Sequence, residues 1–330
     1  MKKIKFIAEL AQGYEGKVSQ ACELIKGAKF AHADFVKIQI VYADELSTKD
    51  YKDYKIFKSL EINKNDWKKI FKFSQKNKID LIAEVFGKKS LDVANFIGAR
   101  FLKMHPTDIN NQQLISDIKK LNPKIVFVGI GGAKEEEIRL CLEKLKNNKV
   151  VLLHGHQTLP TPNQDLNISR ITKIISVFSK FKNNFEIGIA DHVVPGDKDQ
   201  YSIIAMAIGT GVTFIEKHLT TNRVFQLEDY HSALNPDEFT KFIDECNDLV
   251  KIFGKNDFNL SNSEKKYRKL TRRVPIAKKN LRNQSILNST NVDFKRSSFS
   301  SDIGKIYSVF GKKLKKKIKK NKIITKRDFL

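Results

Sequence analysis

The chain is 330 residues long, 41% hydrophobic and carries a formal net charge of +24, enough for one large domain with an ordinary core plus a small one. No apolar run reaches membrane-spanning length, and the opening Met1-Lys2-Lys3-Ile4-Lys5-Phe6-Ile7 is too briefly apolar for a signal peptide, so the expectation is a cytoplasmic protein without a membrane partner. The positive surplus suits nucleic acid, a membrane surface or an anionic ligand, but its lysines are spread over helix faces without aromatic interleaving, which argues for a solvated face and against nucleic acid.

Short β-branched runs alternate with longer amphipathic stretches from the start to about Phe253. Strands are predicted at Ile4–Leu10, Asp34–Ile40, Ile79–Val85, Arg100–His105, Lys124–Ile130, Lys149–His154, Phe185–Ala190 and Val212–Lys217. The spacing predicts helices at Lys17–Phe30, Lys64–Lys76, Lys89–Ile97, Asn111–Lys120, Lys134–Asn147, Asn167–Phe181, Asp199–Ile208 and Pro236–Phe253. Eight strands, each followed by a helix, are the count and size of an α/β (β/α)₈ TIM barrel. An open doubly wound sheet competes, but Ala11-Gln12-Gly13-Tyr14-Glu15-Gly16 after the first strand lacks the dinucleotide spacing. Residues 1–254 are therefore read as the barrel and 255–270 as a polar linker, with Ser261 and Glu264 spaced to open a short helical turn. Residues 271–330 form a small module with strands at Val274–Ala277 and Val292–Arg296 and a helix at Ile303–Phe310. In its lysine run, Leu314 and Ile318 keep helical spacing, so the run is expected to be folded. Cys22, Cys141 and Cys246 are odd in number and scattered, which points to reduced thiols.

Barrel enzymes place reactive groups at the C-terminal ends of their strands. Those positions hold Glu9, Lys37, Gln39, Glu84, Lys103, His105, Thr107 and Asp108. Farther along come Gly129-Ile130-Gly131-Gly132, His154-Gly155-His156-Gln157 and the segments Ala190-Asp191-His192 and Glu216-Lys217-His218. His192 and His218 lie one strand-loop-helix-loop unit apart, so they are expected at equivalent ends of neighbouring strands, as a pair of ligands for a divalent metal. Alternatively, each merely caps its strand. Lys37 and Lys103 sit among apolar neighbours, where a charge is costly unless paired or used. Two lysines beside a metal describe a pocket for a small, multiply anionic ligand; the competing reading is a buried ion pair such as Lys37 with Glu9. The glycine segment offers backbone N–H groups to a phosphate or simply permits a tight turn. Leu159-Pro160-Thr161-Pro162 reads as a stiff rim loop, and Glu228-Asp229-Tyr230-His231-Ser232 is placed to meet a sugar's hydroxyls.

At these residues the sequence resembles the sialic acid synthase (N-acetylneuraminate synthase) family. The likeness rests on Ala8-Glu9-Leu10 with Glu15-Gly16, Val36-Lys37-Ile38-Gln39, Lys103 with Asp108, Leu153-His154 with Pro160-Thr161-Pro162, Asp191-His192, and Glu216-Lys217-His218 with Asp229. Arg272-Arg273, Lys295-Arg296 and Ile323-Ile324-Thr325-Lys326-Arg327-Asp328 resemble its small C-terminal antifreeze-like (SAF) module. The resemblance implies metal-dependent condensation of phosphoenolpyruvate with an aldose, usually an N-acyl hexosamine, to a 2-keto-3-deoxy acid for surface polysaccharide, with release of phosphate. By position it implies that His192 and His218 hold Mn²⁺ or Mg²⁺ and that Lys37 and Lys103 bind the donor anion, Lys103 within the catalytic group. Glu9 and Asp108 would act on the aldehyde or the attacking water, and Gln39 and Asp229 would contact the sugar. Thr107 and His156 join the substrate-binding set, and Arg296 would reach into the partner's barrel of a homodimer with exchanged small modules. The chain departs from the family pattern at Ala83-Glu84-Val85-Phe86, Pro106-Thr107-Asp108, Gly129-Ile130-Gly131 and Ala190, where hydroxyl donors are expected. Other readings that keep the barrel are a pyruvate-dependent aldol enzyme and a non-catalytic sugar-acid-binding protein.

Overall fold

The first strand, β1 (Lys5–Glu9), draws its pairing partners from both ends of a single closed sheet. In this computed structural model, which describes residues 3–156, 158, 160–179, 181, 185–299 and 301–329, the contacts divide the chain into two units, Met1–Lys255 and Asn256–Leu330.

In the first unit β1 is followed by β2 (Phe35–Gln39), β3 (Asp80–Val85), β4 (Phe101–Met104), β5 (Ile125–Gly129), β6 (Val150–His154), β7 (Phe185–Asp191) and β8 (Phe214–His218), all parallel and closed in that order into a barrel. Between them run α1 (Val18–Phe30), the two short helices α2 (Ala43–Leu46) and α3 (Tyr54–Ser59), α4 (Lys64–Lys76), α5 (Lys88–Ile97), α6 (Gln112–Leu121), α7 (Glu135–Lys144), α8 (Ser169–Phe178) and α9 (Gln200–Thr210). The last, α10 (Pro236–Phe253), follows β8. The eight strands and the eight long helices lie where the periodicity predicts them. Helices α2 and α3, in the β2–α4 connection, are too short to show a period in sequence.

In β1, β2, β3, β4 and β8 the inward-facing side chains climb from apolar to charged. Ile7, Phe35, Ile82, Phe101, Phe127, Val151 and Phe214 form a dry inner cluster, with the Phe35 ring 5.2 Å from Phe101 and the Phe127 ring 5.4 Å from Phe214. Two residues further along their strands, on the same face, stand Glu9, Lys37, Glu84, Lys103 and Glu216. The outward faces and the helices, including Trp67, Ile115, Phe239 and Phe242, make the larger core. The register Glu9↔Lys37, Glu84↔Lys103 and Glu9↔His218 fixes which charges meet.

The second unit contains α11 (Asn262–Thr271) and an antiparallel pair, β9 (Val274–Ala277) with β10 (Val292–Lys295). The segment expected to be a linker is thus largely a ten-residue helix. The reason is a complete capping box: Ser261 Oγ accepts from the Glu264 N–H at 3.1 Å, and Glu264 returns a bond to the Ser261 N–H at 2.6 Å. The helix expected at Ile303–Phe310 is a single 3₁₀ turn, Ile306–Val309. The lysine run is not helical; it crosses the unit as isolated bridges, Leu314 to Phe329 and Ile318 to Leu281, with Leu314 and Ile318 buried and the lysines outside.

Close approach explains one glycine in β7. A Cβ on Gly188 would lie 2.7 Å from the Phe214 carbonyl oxygen and 2.8 Å from Leu153 Cδ2, both in neighbouring strands. Gly188→Ala is therefore expected to destabilise the first unit by about 1–3 kcal/mol through overpacking. Gly209→Ala, inside α9 with only Phe253 at 3.9 Å, should instead stabilise it by up to about 1 kcal/mol. Urea denaturation of the two variants checks the opposite signs.

Candidate active site

The charged layer is a single connected cluster. Lys37 Nζ donates to Glu216 Oε1 at 3.2 Å, lies 2.9 Å from Glu84 Oε2 and also pairs with Glu9. Lys103 Nζ donates to the same Glu216 oxygen at 2.8 Å and stands 3.8 Å from Glu84 Oε1. All five residues are buried. Glu9 is tied down further, its Oε1 accepting the Ala11 N–H at 2.6 Å. The alternative reading of the lysines, as buried ion pairs with Lys37 against Glu9, is what the structure shows.

The electrostatics follow from the pairing. Burial opposes ionisation of Glu84, but the ammoniums of Lys103 and Lys37 outweigh it and hold the carboxyl at about 2. Glu216 is held below the usual range by the same contest. Lys103 rises above the ordinary lysine value because Glu216 and Glu84 more than offset its burial. Burial, with the like charge of Lys103, pulls Lys37 down.

Glu216 carries no role in the sequence reading, yet it receives hydrogen bonds from both ammoniums. The signal was available in strand alternation: in Phe214-Ile215-Glu216-Lys217-His218, every second residue faces inward. The same alternation separates two groups expected at one rim. Lys217 and Asp191 face outward and pair with each other at 3.0 Å, both buried; they brace β7 against β8 behind the barrel.

His192 and His218 come together above the cluster, their ring centroids 5.2 Å apart. Burial pushes His192 down to about 4 and His218 well below the ordinary imidazole value, so both are neutral at pH 7. The His192 Nδ1–H donates to the His156 carbonyl at 2.6 Å, which leaves Nε2 with the lone pair and fixes the ring. Asp229 Oδ2 lies 3.8 Å from His218 Nδ1, and burial raises Asp229 to about 6. Two neutral imidazoles with their second nitrogens engaged or faced by oxygen form a donor pair that suits a divalent cation of borderline softness. Among the described residues no group of three or more His, Cys, Asp or Glu side chains is placed to hold a metal, so remaining positions on such an ion would fall to water or a ligand.

The other candidates are placed as follows. Gln39, half-buried, accepts from Gln12 Nε2 at 2.9 Å. Asp108 and Thr107 lie not on a strand but in a 3₁₀ turn, Pro106–Asp108. There Thr107 Oγ1 bonds His105 Nδ1 at 2.8 Å, and Asp108 accepts from Asn111 Nδ2 at 3.1 Å. Burial raises Asp108 above the ordinary aspartate value. No hydrogen bond or ion pair among the described residues joins Asp108 to Glu9 or Lys103. His156 is exposed and lines, with Gly131, Gly132, His154, Asn167 and Arg170, a pocket of about 320 Å³ between the loops after β5 and β6. Arg296 is exposed in the second unit, directly after β10. Gln157 and Leu159 lie outside the described residues.

Residues 24–258 match the model of the NeuB family. Over 98% of its length the chain is 26% identical to the N,N'-diacetyllegionaminic acid synthase of Campylobacter jejuni, covering 99% of that protein. It is 27% identical over 99% of its length to that organism's pseudaminic acid synthase, covering 97% of it. The crystal structure of the N-acetylneuraminic acid (sialic acid) synthetase of Leptospira borgpetersenii, solved in complex with citrate, superposes with a TM-score of 0.73 at 27% identity, over 81% of this chain and 92% of that one. An eight-stranded barrel with these charged residues at the ends of its strands, matched along most of its length, belongs to the NeuB family.

Proposed function

We propose that the protein is a carbon–carbon bond-forming synthase that condenses phosphoenolpyruvate with an aldose to a sialic-acid-like 2-keto-3-deoxy sugar acid, releasing phosphate. One observation carries the reading: two buried ammoniums and two neutral, converging imidazoles stand at the same end of one barrel, in a chain whose relatives are named as pseudaminic and legionaminic acid synthases. In the balanced reaction, C3 of the enol phosphate bonds to the aldehyde carbon and the aldehyde oxygen gains a proton. Water adds at C2, the bond from C2 to the phosphate oxygen breaks, and C2 becomes the ketone.

Lys37 and Lys103 neutralise the donor's anionic groups, exchanging carboxylate partners for the ligand's. Asp108, with its raised proton affinity, suits delivery of a proton to the aldehyde oxygen. Glu9, held by Ala11 and Lys37, suits orientation of the attacking water. Thr107 and His156 edge the donor side, and Gln39 and Asp229 meet the sugar. His192 and His218 would hold Mn²⁺ or Mg²⁺, which when bound supplies Lewis acidity to the aldehyde. We further assign the second unit as an antifreeze-like module whose Arg296 completes the barrel of a partner subunit in a homodimer, and place the enzyme in the cytoplasm, making precursors for surface polysaccharide. No helix among the described residues is long and apolar enough to cross a membrane.

Phosphate release assayed with phosphoenolpyruvate, a panel of N-acylated hexosamines and Mn²⁺ tests the reading. All three components should be required, and a chelator should stop turnover until metal is restored. Phosphate-free release of pyruvate from a 2-keto-3-deoxy acid would instead select the aldol reaction. His192→Ala and His218→Ala should each lower kcat at least about 10³-fold, the several kcal/mol that Lewis-acid catalysis supplies, and each should weaken Mn²⁺ binding measured by calorimetry. Survival of activity in the double variant would sink the assignment of these histidines.

A further inference from the structure

The inner charges do not balance. Two ammoniums, Lys37 and Lys103, face three carboxylates, Glu9, Glu84 and Glu216, so one negative charge is in surplus before any ligand arrives. The three carboxylates are held unequally. Glu9 is anchored by the Ala11 N–H, and Glu216 receives hydrogen bonds from both lysines. Glu84 is fully buried, yet neither of its oxygens is aligned in a hydrogen bond with any described residue, although Lys37 Nζ lies 2.9 Å away. Its desolvation is offset by Coulomb attraction to the two ammoniums and by little else.

We infer that Glu84 is a specificity-determining residue of the donor subsite. In the free protein its carboxylate stands in for an anionic ligand beside Lys37 and Lys103, and on donor binding it yields that place by taking up one proton. The inference rests on the reading that an enol-phosphate acid binds at these lysines, and it adds what that binding requires. A ligand anion that engages Lys37 and Lys103 leaves Glu84 buried beside a new negative charge. The two ammoniums are then shared with the ligand's charge, the attraction that offset Glu84's desolvation is weakened, and burial beside a second anion favours the neutral carboxyl. No covalent bond changes; one proton moves from solvent to a Glu84 oxygen. The groups facing Glu84 are Lys37 and Gln39 from β2, Lys103 from β4 with His105 just beyond it, Glu216 from β8 and Glu9 from β1. Asp108 in the turn after β4 and Asp229 in the loop after β8, both raised by burial and by the Glu84 charge, also feel it; they and His105, which burial keeps uncharged in the free protein, are the rival acceptors of the proton.

Calorimetric titration of phosphoenolpyruvate in buffers of different ionisation enthalpy, at pH 7.5 with Mn²⁺ present, reads the proton directly. The unmodified protein should take up about one proton per donor bound, so its affinity should fall about tenfold per pH unit between pH 7.5 and 8.5. Glu84→Gln should bind at least about tenfold more tightly at pH 7.5, without proton uptake and without that pH dependence. Binding to the unmodified protein without proton uptake, or equal uptake in Glu84→Gln, which would assign the proton to His105, Asp108 or Asp229, overturns the inference while leaving the synthase reading intact. Absence of donor binding to either protein overturns both. Should Glu84→Gln not fold, Glu84→Thr and the unmodified protein decide by the same criteria.

Discussion

Five ionised side chains shut inside a closed sheet govern this barrel. An isolated charge in a medium as dry as the Phe35–Phe101–Phe127–Phe214 floor is prohibitively costly; Glu9, Lys37, Glu84, Lys103 and Glu216 are tolerated because they face one another within a few ångströms. That mutual placement is a property of register. Glu9 lies level with Lys37, and Glu84 with Lys103, so a one-residue slip of any of these strands would turn its charge outward and strand its partners. Closure of the barrel and pairing of its inner charges are therefore one constraint, and the site inherits its rigidity from both.

Much of this was legible in the sequence, because alternating periods are strong where helices and strands are long. All eight strands and the eight long helices could be placed, as could the meeting of His192 with His218, since both follow from counting units. Partner choice among the inner charges was less legible. Periodicity says that Lys37 points inward, but only the barrel's curvature says that Glu216, 179 positions away in sequence, reaches it alongside Glu9 and Glu84. Asp191 lies one residue and Glu216 two residues before a candidate metal ligand, so the two look alike in sequence; opposite parity puts Asp191 behind the sheet and Glu216 inside it. In the second unit the helix at Asn262–Thr271 was underestimated. It has almost no apolar face to give a period, and its start is written mainly in the Ser261–Glu264 box.

The large positive charge turns out to have two unrelated addresses. The lysine run from Lys312 to Lys320 lies on the solvent side of a small core in which Leu314, Ile318, Leu281 and Ile324 are buried, and separated surface charges of this kind contribute to solubility more than to fold. Lys37, Lys103 and Lys217 are the opposite case, with burial near completion and a carboxylate for each. Net charge as a bulk quantity is blind to this difference. It counts a solvated lysine and a buried one alike, although only the buried one has had its partners selected by the fold.

A preformed cluster of this composition also shapes how strongly an anion can bind. Bare ammoniums at the floor of a pocket would attract a ligand carboxylate or phosphate with the full strength of a low-dielectric interaction. Here each ammonium already has a partner, so a ligand gains only the difference between its own contacts and those it displaces, less the cost of leaving a carboxylate behind. Affinity is thereby reduced, and the protein stays stable without ligand. Of the two consequences the second is the prior one: the barrel has to fold before it meets a substrate, and with only Glu9 and Glu216 to share between them the two lysines would face each other with less to hold them apart. Glu84 thus serves the folded state of the empty protein directly, and influences ligand selection through the charge it must lose when another anion takes its place.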